Sequence, residues 1–294
     1  MDQKVGVIGL GIMGGAMARN LLAAGWQVLG YDPDPAAAAA LAADGVAVQP
    51  DAAAAARAAP VLMTSLATPA ALHATAAAIA AAGVPRRVVV EASTMSLEDK
   101  QAFASALQGS GHVALDCPIS GTGAQAVTRD LVVYASGDPD EIAALRPFFA
   151  GFTRAVHDLG AYGNGSRMKF VANLLVAIHN VAAAEAMVLG IKAGLDPLQL
   201  VELVSAGVGT SRVFELRAPM MAANDYAHAT MKVSVWQKDM AVIGAFAASL
   251  GAATPLLSAT VPVYDSAMAT GHAAHDTASV CAVLEAMSGL DRRG

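Results

Sequence analysis

The chain is short of charge. Only 14% of its 294 residues are Asp, Glu, Lys or Arg, against 55% hydrophobic. A surface with so few charges must be largely alanine, or be covered in an oligomer. The charge that exists leans acidic, with 18 Lys and Arg against 24 Asp and Glu, a net of −6 and no basic run. This argues against nucleic-acid binding through a charged patch. Cysteine is scarce as well. Cys117 and Cys281 give neither a disulfide framework nor metal-ligand spacing, which suits a reducing cytoplasm. The seven histidines are scattered without ligand spacing, so nothing asks for a metal. Met240 to Tyr264 carries no charge, but Gly244, Gly251, Pro255 and Pro262 break it. Much of it is Ala, Ser and Thr, which insert poorly into a bilayer, so it reads as two buried helical pieces. The N-terminus loosely mimics a cleaved leader, with Lys4, an apolar stretch and Ala16-Met17-Ala18. Its glycine spacing has a better explanation.

What is present begins at that spacing. Gly9-Leu10-Gly11-Ile12-Met13-Gly14 directly follows an apolar run, Val5 to Ile8, and opens a helical stretch over 12–24 that stops at Gly25. A second run, Val28 to Tyr31, ends on Asp32. The first glycine allows a tight strand-to-helix turn, the second lets backbone approach a pyrophosphate, and the third lets helix pack close to sheet. Free N–H groups and the helix dipole favour the phosphates. Asp32 can accept from a ribose 2′-OH and would repel a 2′-phosphate. No Arg or Lys occurs in Tyr31-Asp32-Pro33-Asp34-Pro35, so the cofactor expected is NAD rather than NADP. The competing reading is a Gly-rich helix start in some other α/β protein, with Asp32 an ordinary turn acid.

The first half alternates strand-like and helix-like segments. Residues 5–8, 28–31, 61–65, 88–91 and 113–116 read as strands, and 12–24, 35–43, 69–81 and 97–108 as helices. This alternation predicts a parallel, doubly wound sheet. Ser96 with Asp99 resembles a helix capping box. A further strand over 131–136 and a helix from 139 to 149 follow. After Gly163-Asn164-Gly165 strand signals vanish. A long apolar helix over 166–193 ends at Gly194, and helices over 197–206, 211–222, 234–250, 255–269 and 276–288 complete an all-α second half. The expected architecture is a Rossmann-type α/β domain over 1–161 and a helical domain over 162–294 for substrate binding and oligomerisation, joined by the long helix. The Ala-rich tracts at 36–43, 52–59 and 74–82 read as helix surface rather than repeats.

Lys169 and Asn173 lie four residues apart on the long helix, and Asn180 falls on nearly the same face, so the three form one polar stripe. Burial disfavours a lysine's charged form and lowers its pKa, as a general acid/base near neutral pH requires. Asn173 could hold a hydroxyl beside it. A lysine snorkelling at the helix start, with Asn173 bonded to a neighbouring loop, fits the spacing equally well. His179 is rotated off the stripe and reads as a packing residue. The loop Asp116-Cys117-Pro118-Ile119-Ser120-Gly121-Thr122-Gly123 follows a strand and offers a hydroxyl and several N–H groups, which suits a carboxylate. A plain Ser/Gly turn is the alternative.

Together these segments resemble the β-hydroxyacid dehydrogenase family, which includes 3-hydroxyisobutyrate dehydrogenase and tartronate semialdehyde reductase. The resemblance spans essentially the whole chain. Gly9 to Gly14, continuing through Met17-Ala18-Arg19-Asn20-Leu21, is similar to the family's cofactor signature. Asp116 to Gly121 is similar to its substrate segment, Gly163-x-Gly165-x-x-x-Lys169-x-x-x-Asn173 to its catalytic helix start, and Lys238-Asp239 to its C-terminal pair. The resemblance implies that Lys169 is the general acid in carbonyl reduction and the base in alcohol oxidation, while Asn173 orients the reacting oxygen. It implies that Ser120 and Gly121 hold the substrate carboxylate, with Thr122 and Gly123 nearby. Lys238 would face cofactor or substrate with Asp239 supporting it, Ser93 and Thr94 would lie beside the nicotinamide ribose, and Leu66 along the cofactor. Core packing for Leu66 and a strand-end cap for Ser93-Thr94 are the plainer readings. The active site would lie in a cleft between the domains, and the apolar helices imply a homodimer or homotetramer.

Two departures concern the substrate pocket. Arg129-Asp130-Leu131 stands where the family commonly has Gly-Thr-Leu, and Thr122 replaces its second loop glycine. Arg129 could bind a second polar or acidic substrate group, or simply pair with Asp130 in solvent. Three rivals remain: an imine reductase on the same fold, weakened by Lys169; a 6-phosphogluconate dehydrogenase, for which the chain is short; and a non-catalytic dinucleotide-sensing module, which need not retain Lys169, Asn173 and Ser120.

Overall fold

The computed structural model of the chain describes residues 3–292. It divides into two compact units, the first ending at Lys169 and the second beginning at Phe170. The first unit starts with β1 (Lys4–Ile8), α1 (Ile12–Ala23), β2 (Gln27–Tyr31), α2 (Pro35–Ala43), β3 (Ala47–Val48), α3 (Ala52–Ala58), β4 (Val61–Thr64), α4 (Pro69–Ala80), β5 (Val88–Glu91), α5 (Leu97–Gln108) and β6 (Val113–Asp116). Its six strands form one parallel sheet in the order β3-β2-β1-β4-β5-β6. This is a Rossmann-type sheet. β4 and β5 are buried along their whole length, as strands covered by helices on both faces must be. Hydrophobic side chains pack on both faces, with Met17, Leu21 and Phe148 on one and Leu62, Leu72 and Phe103 on the other.

Polar N-caps start the helices, including the one expected at Ser96. Ser96 Oγ accepts from Asp99 N–H at 3.0 Å, and Asp34, Asp51 and Thr68 cap α2, α3 and α4 in the same way.

The unit continues through β7 (Ile119–Ser120), α6 (Gly123–Val127), β8 (Val132–Ala135), α7 (Pro139–Ala144), α8 (Arg146–Ala150) and β9 (Ala155–Asp158). The strand expected over 131–136 is β8, but it belongs to a second sheet, β7-β8-β9, antiparallel to β7 and parallel to β9. The single helix expected over 139–149 is two. Pro147 in the first turn of α8 has no N–H to give the α7 carbonyls, so the helix breaks at Leu145.

The long helix α9 (Asn164–Lys192) carries the chain out of the first unit. It is followed by α10 (Pro197–Ala206), α11 (Arg212–Ala223), α12 (Val233–Ser249), α13 (Pro255–Ala269), a 3₁₀ turn (Thr277–Ser279) and α14 (Val280–Met287). The helix expected over 276–288 thus begins as a 3₁₀ turn, which Asp276 caps through Ala278 N–H at 2.9 Å. By length and composition α9 alone among the described helices could cross a membrane. It nevertheless buries three polar side chains, Lys169, Asn173 and Asn180.

Candidate active site

Five strands of the large sheet, β1, β2, β4, β5 and β6, end on one line. Ile8 pairs with Tyr31 and Thr64, Thr64 with Glu91, and Glu91 with Asp116. Ligands of open α/β sheets bind beyond these carboxyl ends, where the strand order reverses. Here that point lies between β1 and β4.

The glycine turn sits on it. Gly9 has φ +93°, and a Cβ there would lie 2.2 Å from Ser65 O; a Cβ on Gly14 would lie 1.9 Å from Gly9 O. Both positions therefore exclude a side chain for internal reasons. Gly11 differs: nothing lies within 4 Å of a Cβ built on it, and it is the exposed N-cap of α1. The protein itself does not require that glycine, whereas a phosphate approaching the helix N-terminus would. Asp32 is tied to the same turn. Its Oδ2 accepts from Leu10 N–H at 2.6 Å and its Oδ1 from Asp34 N–H at 2.8 Å. Ile12, beside Gly11, is 59% exposed. These residues fit a dinucleotide: a helix N-terminus, an open glycine at its N-cap, and a carboxylate just beyond β2.

The loops after β4 and β5 are joined, because Ser93 Oγ accepts from Leu66 N–H at 2.7 Å and Ser93 N–H donates to Glu91 Oε1 at 2.9 Å. Ser93 is buried, so its hydroxyl holds the Leu66 loop rather than lying open. Ser120 ends β7, and Gly121 and Thr122 lead from it into α6 at Gly123. Gly121, with φ +140°, packs against Leu131, and Gln125 Oε1 accepts from Thr122 N–H at 3.1 Å to start α6. Thr122 is thus built into a helix cap. Arg129, exposed, has φ +60° at the end of α6, where Arg129 and Asp130 N–H groups close back on Ala126 and Gln125 carbonyls. Glycine is the usual residue in that closure. Asp130 makes its ion pair with Arg154 at 2.6 Å and accepts from Gln125 at 2.9 Å.

Lys169 and Asn173 are 9% and 5% exposed, one turn apart on an uninterrupted α9. Asn173 Nδ2 donates to Asp239 Oδ2 at 2.9 Å, and Asp239 Oδ1 lies 3.1 Å from Lys238 Nζ. The helical unit therefore links Asn173 and Lys238 through one buried carboxylate. Asn180 has a separate task. Its Nδ2 donates to Tyr264 Oη and to Thr277 O, both at 2.9 Å, which fastens α9 to the helical core.

One cluster escaped the sequence reading. Glu91, Lys100 and Asp116 are fully buried, with Lys100 Nζ 2.9 Å from Asp116 Oδ1 and ion-paired to Glu91. Burial pulls the Lys100 ammonium down, but the Asp116 and Glu91 carboxylates raise it by more, so it lies above the usual lysine value. Neighbouring Cys117 has its thiol pushed well up, by burial first and by Asp116 second, which makes it a poor nucleophile. Acids at two strand ends are the available signal. Their pairing depends on strand order, which spacing does not reveal.

Comparison with known proteins finds relatives of both halves of the chain. Residues 4–160 match the family described as the NAD binding domain of 6-phosphogluconate dehydrogenase. Residues 163–284 match the family described as NAD-binding of NADP-dependent 3-hydroxyisobutyrate dehydrogenase. The chain is 32% identical to an L-threonate dehydrogenase of Cupriavidus necator over 97% of each chain. Among solved structures, a 3-hydroxyisobutyrate dehydrogenase from Salmonella typhimurium superposes with a TM-score of 0.87 at 30% identity, covering 95% of this chain and 99% of that one. The 3-hydroxyisobutyrate dehydrogenase of Mycobacterium tuberculosis, solved with L-serine, gives 0.86 at 30% identity over 97% and 99%.

Proposed function

Since the chain belongs to the β-hydroxyacid dehydrogenase family, with NAD(P)-binding domains, we propose that it transfers hydride between a nicotinamide cofactor and a small 3-hydroxy carboxylic acid or its semialdehyde, with Lys169 as the acid/base. The observation that carries this reading is the pair Lys169 and Asn173, both buried on one apolar helix in a chain whose glycine cradle is open at Gly11. Lys169 Nζ gives a proton to the substrate oxygen in reduction and takes it back in oxidation. Asn173 lies one turn on. Asp239 accepts from the Asn173 Nδ2 and so holds the amide that orients the reacting hydroxyl. Ser120 and the N–H groups at Gly121 and Gly123 hold the carboxylate. Gly9 to Gly14, Asp32, Leu66, Ser93, Thr94 and Lys238 serve the cofactor, whose nicotinamide supplies or accepts the hydride when bound.

NAD is the preferred cofactor, since an acid just after β2 would repel a 2′-phosphate and no Arg or Lys stands in Tyr31 to Pro35. The partners are small acids rather than nucleic acid or membrane, in keeping with the net charge of −6 and the absence of a basic run. The protein works in the cytoplasm as a homodimer or homotetramer. Exposed Leu189, Leu198 and Leu203 on α9 and α10 support packing between copies.

The test is cofactor-linked turnover with NAD and with NADP on 3-hydroxyisobutyrate, L-threonate, L-serine, glycerate and matching semialdehydes. Turnover of at least one acid, faster with NAD, is expected. Cofactor binding without turnover on any member would favour a sensor or an imine reductase.

A further inference from the structure

The buried cluster at the ends of β5 and β6 reaches beyond its own charges. It contains two carboxylates and one ammonium, so it holds one negative charge in excess. Glu91 faces inward: Oε1 accepts from Ser93 N–H and Thr64 Oγ1, and Lys100 pairs with its other side. Asp116 faces the start of α9. Its Oδ2 accepts from Ser166 N–H at 2.8 Å and its Oδ1 from Ser166 Oγ at 2.8 Å. Ser136, bridged to Asp116 through backbone, lies with its Oγ 3.2 Å from Asp116 Oδ2 and accepts from Gly165 N–H at 2.9 Å. Two first-turn N–H groups of α9 are therefore anchored to this one cluster. The excess negative charge lies where the helix dipole is positive.

The fit is close. A Cβ on Gly165 would lie 2.2 Å from Tyr134 O and 2.8 Å from Asp116 O, so the helix start is pressed onto the strand ends and only glycine fits. Ser166 is 1% exposed, and Lys169 follows it by three residues, one turn along the same face. A helix held at its first turn by a buried bidentate grip is fixed in both height and rotation.

We propose that Asp116, backed by Lys100, is a positioning residue for proton transfer: it grips Ser166 and so sets where Lys169 Nζ stands. This rests on the reading of Lys169 as the acid/base given above. Asp116 touches neither substrate nor cofactor, so its loss acts on turnover and not on cofactor affinity.

The experiment uses Ser166→Ala, Asp116→Asn and Lys169→Ala, with the double variant Ser166→Ala/Lys169→Ala, in the full chain. NADH affinity, kcat and KM are measured for each. Misplacing a catalytic group by about 1 Å lowers turnover by up to roughly a hundredfold. The expected result is a fall in kcat of about tenfold or more for Asp116→Asn, and a smaller fall for Ser166→Ala, at unchanged NADH affinity. In the Lys169→Ala background, Ser166→Ala should do nothing further, because the group it positions is gone. If Ser166→Ala multiplies the loss caused by Lys169→Ala, it acts on general structure and the proposal is wrong. Wild-type turnover in both Ser166→Ala and Asp116→Asn would overturn it equally, while leaving Lys169 in its role. If Asp116→Asn fails to fold, Ser166→Ala, which removes one hydroxyl, decides alone. Wild-type turnover in Lys169→Ala would instead remove the acid/base reading, and the positioning role with it.

Discussion

Two glycines of the cofactor turn, three residues apart, should respond to alanine in opposite ways. At Gly14 the added methyl would meet Gly9 O at 1.9 Å, and the turn must open by about 1.5 Å to reach an ordinary contact. The obstacle is backbone, which cannot swing aside. Overpacking of this kind costs about 1–3 kcal/mol. At roughly 2–4 °C per kcal/mol for a unit of this size, the melting temperature falls by about 2–12 °C. At Gly11 the methyl meets nothing within 4 Å. The free protein should lose only about 0.5–1 kcal/mol, or up to about 4 °C, because alanine is a poorer N-cap than glycine but meets no clash. The methyl would, however, stand where a pyrophosphate approaches the α1 N-terminus. Losing one hydrogen bond to a charged group is worth about 1.5–3 kcal/mol, or about 10- to 100-fold in affinity. Thermal unfolding without ligand and calorimetric titration with NADH on the same two variants decide the matter. Gly11→Ala binding NADH as tightly as wild type would refute the phosphate cradle. An unchanged melting temperature for Gly14→Ala would refute the packing argument.

Three further outcomes are expected. Asp32→Ala should weaken NAD binding about tenfold or more, by losing a charged hydrogen-bond acceptor, and narrow the preference over NADP; titration with both cofactors checks it. Arg129→Gly should raise the melting temperature slightly, by up to about 1 kcal/mol of stability, because φ +60° suits glycine. If Arg129 also binds a second acidic group, the same variant raises KM for dicarboxylic substrates only; unchanged KM values across the panel would discard that role. Burial first, and the His275 charge second, hold the His272 pKa below its ordinary 6.5. The unfolded chain then binds more protons below pH 6.5, so stability is lost as pH falls from there and levels off above it. His272→Gln should flatten that acid limb in melting temperatures taken from pH 7.5 down to about pH 5.

Much of this was legible in the chain itself. β5 and β6 match their expected limits because parallel strands buried on both faces read as unbroken apolar runs, and α10 and α13 match because a Pro opens each and an apolar run fills it. The turn at Gly9 to Gly14 is readable because Gly9 and Gly14 answer local steric demands while Gly11 leaves the helix start open. β3 escaped notice because it is two residues at the sheet edge, and β9, half-exposed and ending His157-Asp158, lacks an apolar run. α3 is visible only as an alanine tract, which composition cannot separate from any other helix surface. In the candidate site, Lys169 and Asn173 stood out as polar residues on an apolar helix. Asp239 was expected only to support its neighbourhood, while its bond to Asn173 spans 66 positions. Lys100 gave no signal, because a lysine in a helix with Glu98, Asp99 and Gln101 looks solvated until strand order places two acids beneath it.

The most direct test of the account is a single turnover. Wild type and Lys169→Ala are loaded with NADH and mixed with the semialdehyde that the panel identifies, while NADH affinity is measured on the same samples. General acid–base groups contribute about 10²- to 10⁴-fold. A loss of that size is expected in the single-turnover rate of Lys169→Ala, with NADH affinity unchanged. A variant that still reduces the semialdehyde at close to the wild-type rate would contradict it, and would place proton transfer on another group.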